Sequence, residues 1–122
     1  MKSVLCVDDS PTSRAVLKVY LSGYTVYEAA DGESGLALAR QQRPSVILLD
    51  LKMPGMDGLT FCRSLRSDPL LRLIPVILIS GSKSVQLAQE AIRIGARTYL
   101  TKPINYEVLL SLIEKYVAEV RR

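Results

Sequence analysis

Residues 44–50 read PSVILLD, four apolar residues in a row bracketed by Pro44 and Asp50. A run this short and without polar alternation is what a strand buried on both faces looks like, since neither face meets water. Similar runs recur on either side of it. Residues 4–7 (VLCV) end in Asp8-Asp9, and residues 24–28 (YTVYE) follow Gly23. Residues 76–79 (VILI) follow Pro75 and end at Ser80-Gly81, and the weakest run, Tyr99-Leu100, leads into Thr101-Lys102-Pro103.

Helical patterns with start signals fill the intervals. Ser10-Pro11 supplies a cap and a first-turn proline before Ala15-Val16-Leu17. Asp31-Gly32 precedes Leu36, Ala39 and Arg40, and Asp57-Gly58 precedes Leu59, Cys62 and Leu65. Ser84 precedes Val85, Ala88, Ala91 and Ile92, with Gly95 as the stop. Asn105 caps a stripe of Leu109, Leu112, Ile113, Tyr116 and Val120, continuing towards Arg122 without a stop signal. Five strands alternating with five helices predict a doubly wound α/β fold with one parallel sheet.

Composition agrees with one domain over residues 1–122. Globular domains run about 100–200 residues, and 48% hydrophobic with 23% charged residues is an ordinary globular balance. No apolar run approaches the roughly 18 residues of a membrane span, and the apolar start is too short for a signal-peptide core. Cys6 and Cys62, the two cysteines, lie in apolar surroundings without metal-ligand spacing and read as buried thiols in a reducing cytoplasm. Histidine is absent, which removes histidine-based triads, most zinc sites and a phosphohistidine carried by this chain. The net charge of +4 is scattered and not interleaved with aromatics, so it reads as a mixed solvated surface, with no direct nucleic-acid partner and no membrane insertion expected.

Function in open α/β sheets gathers at the carboxyl ends of the strands. Here those ends carry Asp8 and Asp9, Asp50, Ser80 and Lys102. Converging carboxylates repel unless a cation is present, and an oxygen-only donor set favours Mg²⁺ over zinc. Lys102 and a hydroxyl supply the positive charge and the donor that a phosphoryl group needs. Taken singly, each has a plainer reading: Asp8-Asp9 as a helix cap, Ser80 as a turn residue, Lys102 as a loop lysine.

The segments VLCVDDSPTSR, YEAADG, VILLDLKMPGMDG, IPVILISG and TYLTKP, in this order and spanning essentially the whole chain, resemble a response-regulator receiver domain, the phosphoacceptor module of two-component signalling. The resemblance implies a flavodoxin-like sheet in the order 2-1-3-4-5. It implies that Asp50 is the phosphoacceptor, and that Asp8, Asp9, Asp50 and the backbone carbonyl of Lys52 hold Mg²⁺. Ser80 and Lys102 would contact the phosphoryl oxygens, and Pro103, typically after a cis peptide, would aim Lys102 inward. Tyr99 would be the switch aromatic, coupled to Ser80 and loosely restrained because serine lacks threonine's methyl. Lys52 and Ser82 would tune the lifetime of the acyl phosphate. Partners would be a histidine kinase or histidine phosphotransfer protein upstream, and downstream a protein reading the fourth helix, fifth strand and fifth helix. Phosphorylation and its reversal would be self-catalysed, without turnover as a conventional enzyme.

Two features depart from the family pattern: Ser80 stands where threonine is usual, and the interval from Asp9 to Asp31 is a few residues short around Leu21-Ser22-Gly23. A phosphatase resembling the haloacid dehalogenases would need an acid where Lys52 stands, and Asp8-Asp9 would repel a flavin phosphate. The remaining alternative is a degenerate receiver that docks without being phosphorylated. A stand-alone regulator and a piece of a larger one are equally compatible with the sequence, and so is more than one oligomeric state.

Overall fold

The computed structural model describes residues 2–51, Met53 and residues 55–120, the Val120 side chain excepted. Strands β1 (Ser3–Val7), β2 (Thr25–Ala29), β3 (Val46–Asp50), β4 (Val76–Ser80) and β5 (Thr98–Thr101) alternate with helices α1 (Pro11–Tyr20), α2 (Gly32–Gln42), α3 (Gly58–Ser67), α4 (Val85–Ile94) and α5 (Tyr106–Val120). All strand pairs are parallel, in the order β2-β1-β3-β4-β5.

Side chains of a strand alternate between faces, and both faces of this sheet are covered. Val4, Cys6, Val46, Leu48, Ile77 and Ile79 pack with Leu17 and Leu21 of the α1 region and with Leu109, Ile113, Tyr116 and Val117 of α5. Leu5, Val7, Ile47, Leu49, Val76 and Leu78 pack on the other face with Leu36, Ala39, Phe61, Cys62, Leu65 and Ala91 of α2, α3 and α4. The three central strands are therefore apolar at most core positions, with Ser3 of β1 and Ser80 of β4 buried as well. The edge strands β2 and β5 are mostly half-buried, which is why their sequences are the most mixed.

Helix starts follow local chemistry. Ser10, Asp31, Asp57, Ser84 and Asn105 each accept the N–H three residues on, at 3.2, 2.8, 2.8, 3.2 and 3.2 Å. These bonds satisfy N–H groups that have no partner within the helix. The start of α3 is also drawn against β3: the Gly58 N–H donates to the Leu51 carbonyl at 2.9 Å. A Cβ at Gly58 would stand 2.9 Å from the Leu51 Cα.

Which helical residues are buried differs from the periodicity in places. On α4 only Ala91 is buried, while Val85 and Ile92 are exposed. Arg40, in the last turn of α2, pairs with Asp68 at the surface. Phe61 and Val117, outside the predicted stripes, are buried.

Candidate functional site

Parallel strands bring their carboxyl ends to one rim. There Asp8 follows β1, Asp50 ends β3, Ser80 ends β4, and Lys102 follows β5. The register sets Val7 beside Leu49, Asp50 beside Ile79 and Ser80 beside Thr101. Backbone bonds continue past the strands: Leu51 N–H to the Ile79 carbonyl at 3.0 Å, and Lys102 N–H to the Ser80 carbonyl at 2.8 Å.

One carboxylate oxygen each from Asp8, Asp9 and Asp50 lies within 4.8 Å of the others. Asp8 is buried, Asp9 exposed, and the Asp50 side chain only 11% exposed. Lys102 Nζ lies 3.6 Å from Asp50 Oδ2, and the Lys102-Pro103 bond is cis. The donor set fits Mg²⁺: all ligands are hard oxygens, and ligands of an octahedral Mg²⁺, each about 2.1 Å from the metal, stand at most about 4.2 Å apart. Oxygens that all lie within 4.8 Å of one another are on that scale, and water can complete the coordination shell.

Ser80 is fully buried, and its Oγ accepts the Ser82 N–H at 3.0 Å. Ser82 Oγ accepts the Ser84 N–H at 3.2 Å, and Ser84 caps α4. Tyr99 is half-buried against the core shared with α4, and its hydroxyl donates to the Ser82 carbonyl at 3.1 Å. Lys52 and Pro54 lie outside the described residues. The turn that follows shows Gly55 at φ 79°, in the left-handed region that favours glycine.

A groove of about 320 Å³ opens beside Asp50 and Lys102, between α1 and the segment leading into α5. Its walls include Val16, Leu17, Pro103, Ile104 and Tyr106. At the outer end of α1, the rings of Tyr20 and Tyr106 stack with centroids 3.9 Å apart.

A sequence model of the response regulator receiver domain matches residues 4–114. The chain belongs to that family. This receiver is 41% identical over 120 residues to Protein PilH of Pseudomonas aeruginosa, covering 97% of this chain and 99% of PilH. It is 40% identical over 112 residues to response regulator PleD of Caulobacter vibrioides, covering 90% of this chain but 25% of PleD. Among solved structures, the chemotaxis protein CheY4 of Vibrio cholerae matches with a TM-score of 0.88 at 36% identity, covering 95% of this chain and 98% of that one. The receiver domain of a sensor histidine kinase from Pseudomonas aeruginosa, solved with a magnesium ion in its active-site cleft, matches with a TM-score of 0.87 at 27% identity, covering 96% and 98%. Receivers are signalling modules of two-component systems that interact with histidine kinases or phosphotransfer proteins, and they are not conventional enzymes. No helix among the described residues of this receiver is long and apolar enough to cross a membrane.

Two parts of the rim were not legible in advance. The Ser80–Ser82–Ser84 ladder needs the backbone turns to be seen. Arg14, one turn into α1, reaches back to donate from Nη1 to the Asp8 carbonyl at 2.5 Å. Its sequence signal is only the distance from the Ser10 cap.

Proposed function

We propose that this receiver accepts a phosphoryl group on Asp50 from a histidine kinase or histidine phosphotransfer protein, with Mg²⁺ as cofactor, and so alters a protein-binding face. The observation that carries this reading is the approach of Lys102 Nζ to 3.6 Å from Asp50 Oδ2 beside the converging Asp8 and Asp9. One Asp50 oxygen attacks phosphorus in line as the donor's bond to phosphorus breaks, giving an acyl phosphate that water later hydrolyses at the same site. Lys102 follows the charge on the phosphoryl oxygens. Asp8, Asp9, Asp50 and the Lys52 carbonyl would hold Mg²⁺, which would supply further positive charge for phosphoryl transfer. The groove of mixed polar and apolar lining beside Asp50, between α1 and the segment leading into α5, is where the donor protein would approach the acceptor.

The acyl phosphate offers oxygens that attract the Ser80 hydroxyl, and Tyr99 follows through Ser82. The face read downstream comprises α4, β5 and α5, including the exposed Ile92 together with Tyr99 and Tyr106. Ser82 and Lys52 flank the acceptor and set the acyl-phosphate lifetime. Residues 1–122 act as one receiver unit in the cytoplasm, in keeping with two buried, unpaired cysteines.

Incubation with acetyl phosphate and Mg²⁺, followed by mass spectrometry, tests this. Wild type should gain one phosphoryl group, lost in Asp50→Asn and on chelation. Labelling of the Asp50→Asn variant at another residue overturns the acceptor assignment. No labelling by any donor favours a docking module that works unphosphorylated.

A further inference from the structure

Asp8 is held by three of its own groups, each tied to a different part of the fold. Its N–H donates to the Ala29 carbonyl at the end of β2 at 3.0 Å. Its Oδ1 accepts the N–H of Ser10, the cap of α1, at 2.9 Å. Its carbonyl accepts Nη1 of Arg14. Arg14 is in turn fixed by β2: its Nε donates to Glu28 Oε1 at 3.1 Å, and Lys18 Nζ lies 3.1 Å from the other Glu28 oxygen. The Arg14 side chain is only 16% exposed. Two nitrogens of one rigid planar group thus reach two acceptors, one just past the end of β1 and one on β2, a geometry an ammonium group does not reproduce.

We propose that Arg14 is a positioning residue for divalent-cation binding: by gripping the Asp8 carbonyl from a base on Glu28, it sets the turn between β1 and α1 so that Asp8 and Asp9 converge with Asp50. This rests on the metal reading above. Groups behind a metal's own ligands orient them, and their loss typically weakens affinity about 10–100-fold. Charge by itself predicts the reverse, because a cation beside a cation site opposes binding. The two effects therefore differ in sign and can be separated by substitution.

Mg²⁺ titration by calorimetry on the intact protein, which has no tryptophan to report binding, decides between them. Arg14→Lys keeps the charge and loses the fork, and should bind Mg²⁺ about tenfold more weakly. Arg14→Met, which removes the opposing charge as well, should also bind more weakly than wild type. Independently of any variant, the wild-type Arg14 Nε–H should give a slowly exchanging NMR resonance that shifts on Mg²⁺ addition. Unchanged affinity in Arg14→Lys, tighter binding in Arg14→Met, or an Nε–H resonance indifferent to Mg²⁺ overturns the proposal alone. Failure of the wild type to bind Mg²⁺ overturns the metal reading and this proposal together.

Discussion

The Tyr99 hydroxyl donates to the Ser82 carbonyl at 3.1 Å, while the N–H of the same Ser82 donates to Ser80 Oγ at 3.0 Å. One residue thus joins the end of β4 to an aromatic on β5, and through Ser84 to the first turn of α4. A change at Ser80 should therefore reach both elements.

Tyr99→Phe removes the donor but keeps the ring. It should lower stability by about 0.5–1.5 kcal/mol, the net worth of one hydrogen bond, as read by urea denaturation. In wild type, beryllofluoride with Mg²⁺ should move the NMR signals of Tyr99 and Ser80–Ser84 together. Saturation at Asp50 with those signals unmoved would contradict the switch.

Mg²⁺ should stabilise the fold, because the rim holds the carboxylates of Asp8, Asp9 and Asp50 close together. At about a hundred times the dissociation constant, a ligand binding only the native state adds about 2.7 kcal/mol. Denaturant unfolding with Mg²⁺ and with chelator should show that gain in wild type. The same Mg²⁺ concentration should give little gain in Asp9→Ala.

At an exposed helix start, Gly→Ala would favour the helix by up to about 1 kcal/mol. At Gly58 packing decides the sign. The new methyl would meet the Leu51 Cα at 2.9 Å and the Leu51 carbonyl oxygen at 3.2 Å, and neither is a movable side-chain end. Gly58→Ala should cost about 1–3 kcal/mol, as overpacking does. A higher thermal midpoint in the variant would refute this.

Burial pushes the Cys6 thiol up to about 12 and the Cys62 thiol up to about 11, from a starting value of 9.0. For Cys6, Glu28 and Asp8 add to the burial. Both folded-state values lie above the unfolded one, so the stability these thiols contribute is complete below about pH 9. It falls as pH rises towards 11 for Cys62 and 12 for Cys6. Urea midpoints should therefore drop above pH 9, and less steeply in Cys6→Ala. Native protein at pH 8 should also resist iodoacetamide, which needs the thiolate.

The sequence by itself determined what depends on neighbours along the chain. Residues 46–49 declare a doubly covered strand, and Ser10, Asp31, Asp57, Ser84 and Asn105 declare helix starts, because a cap bonds to the N–H three residues on. The acids at the strand ends were legible for a related reason: once a sheet is parallel, every strand delivers its last residue to the same rim. What only the tertiary structure decided is which surfaces meet. The sheet covers the face of α4 that carries Ala91 and leaves Val85 and Ile92 outside, although all three fit one helical stripe. Phe61 is buried because α3 turns it towards Val7, across the site of Gly35. The grip of Arg14 on the Asp8 carbonyl and its base on Glu28 require α1 and β2 to be already packed beside β1. Contacts of this kind join groups whose distance is fixed by packing, and no local pattern of residues records that distance.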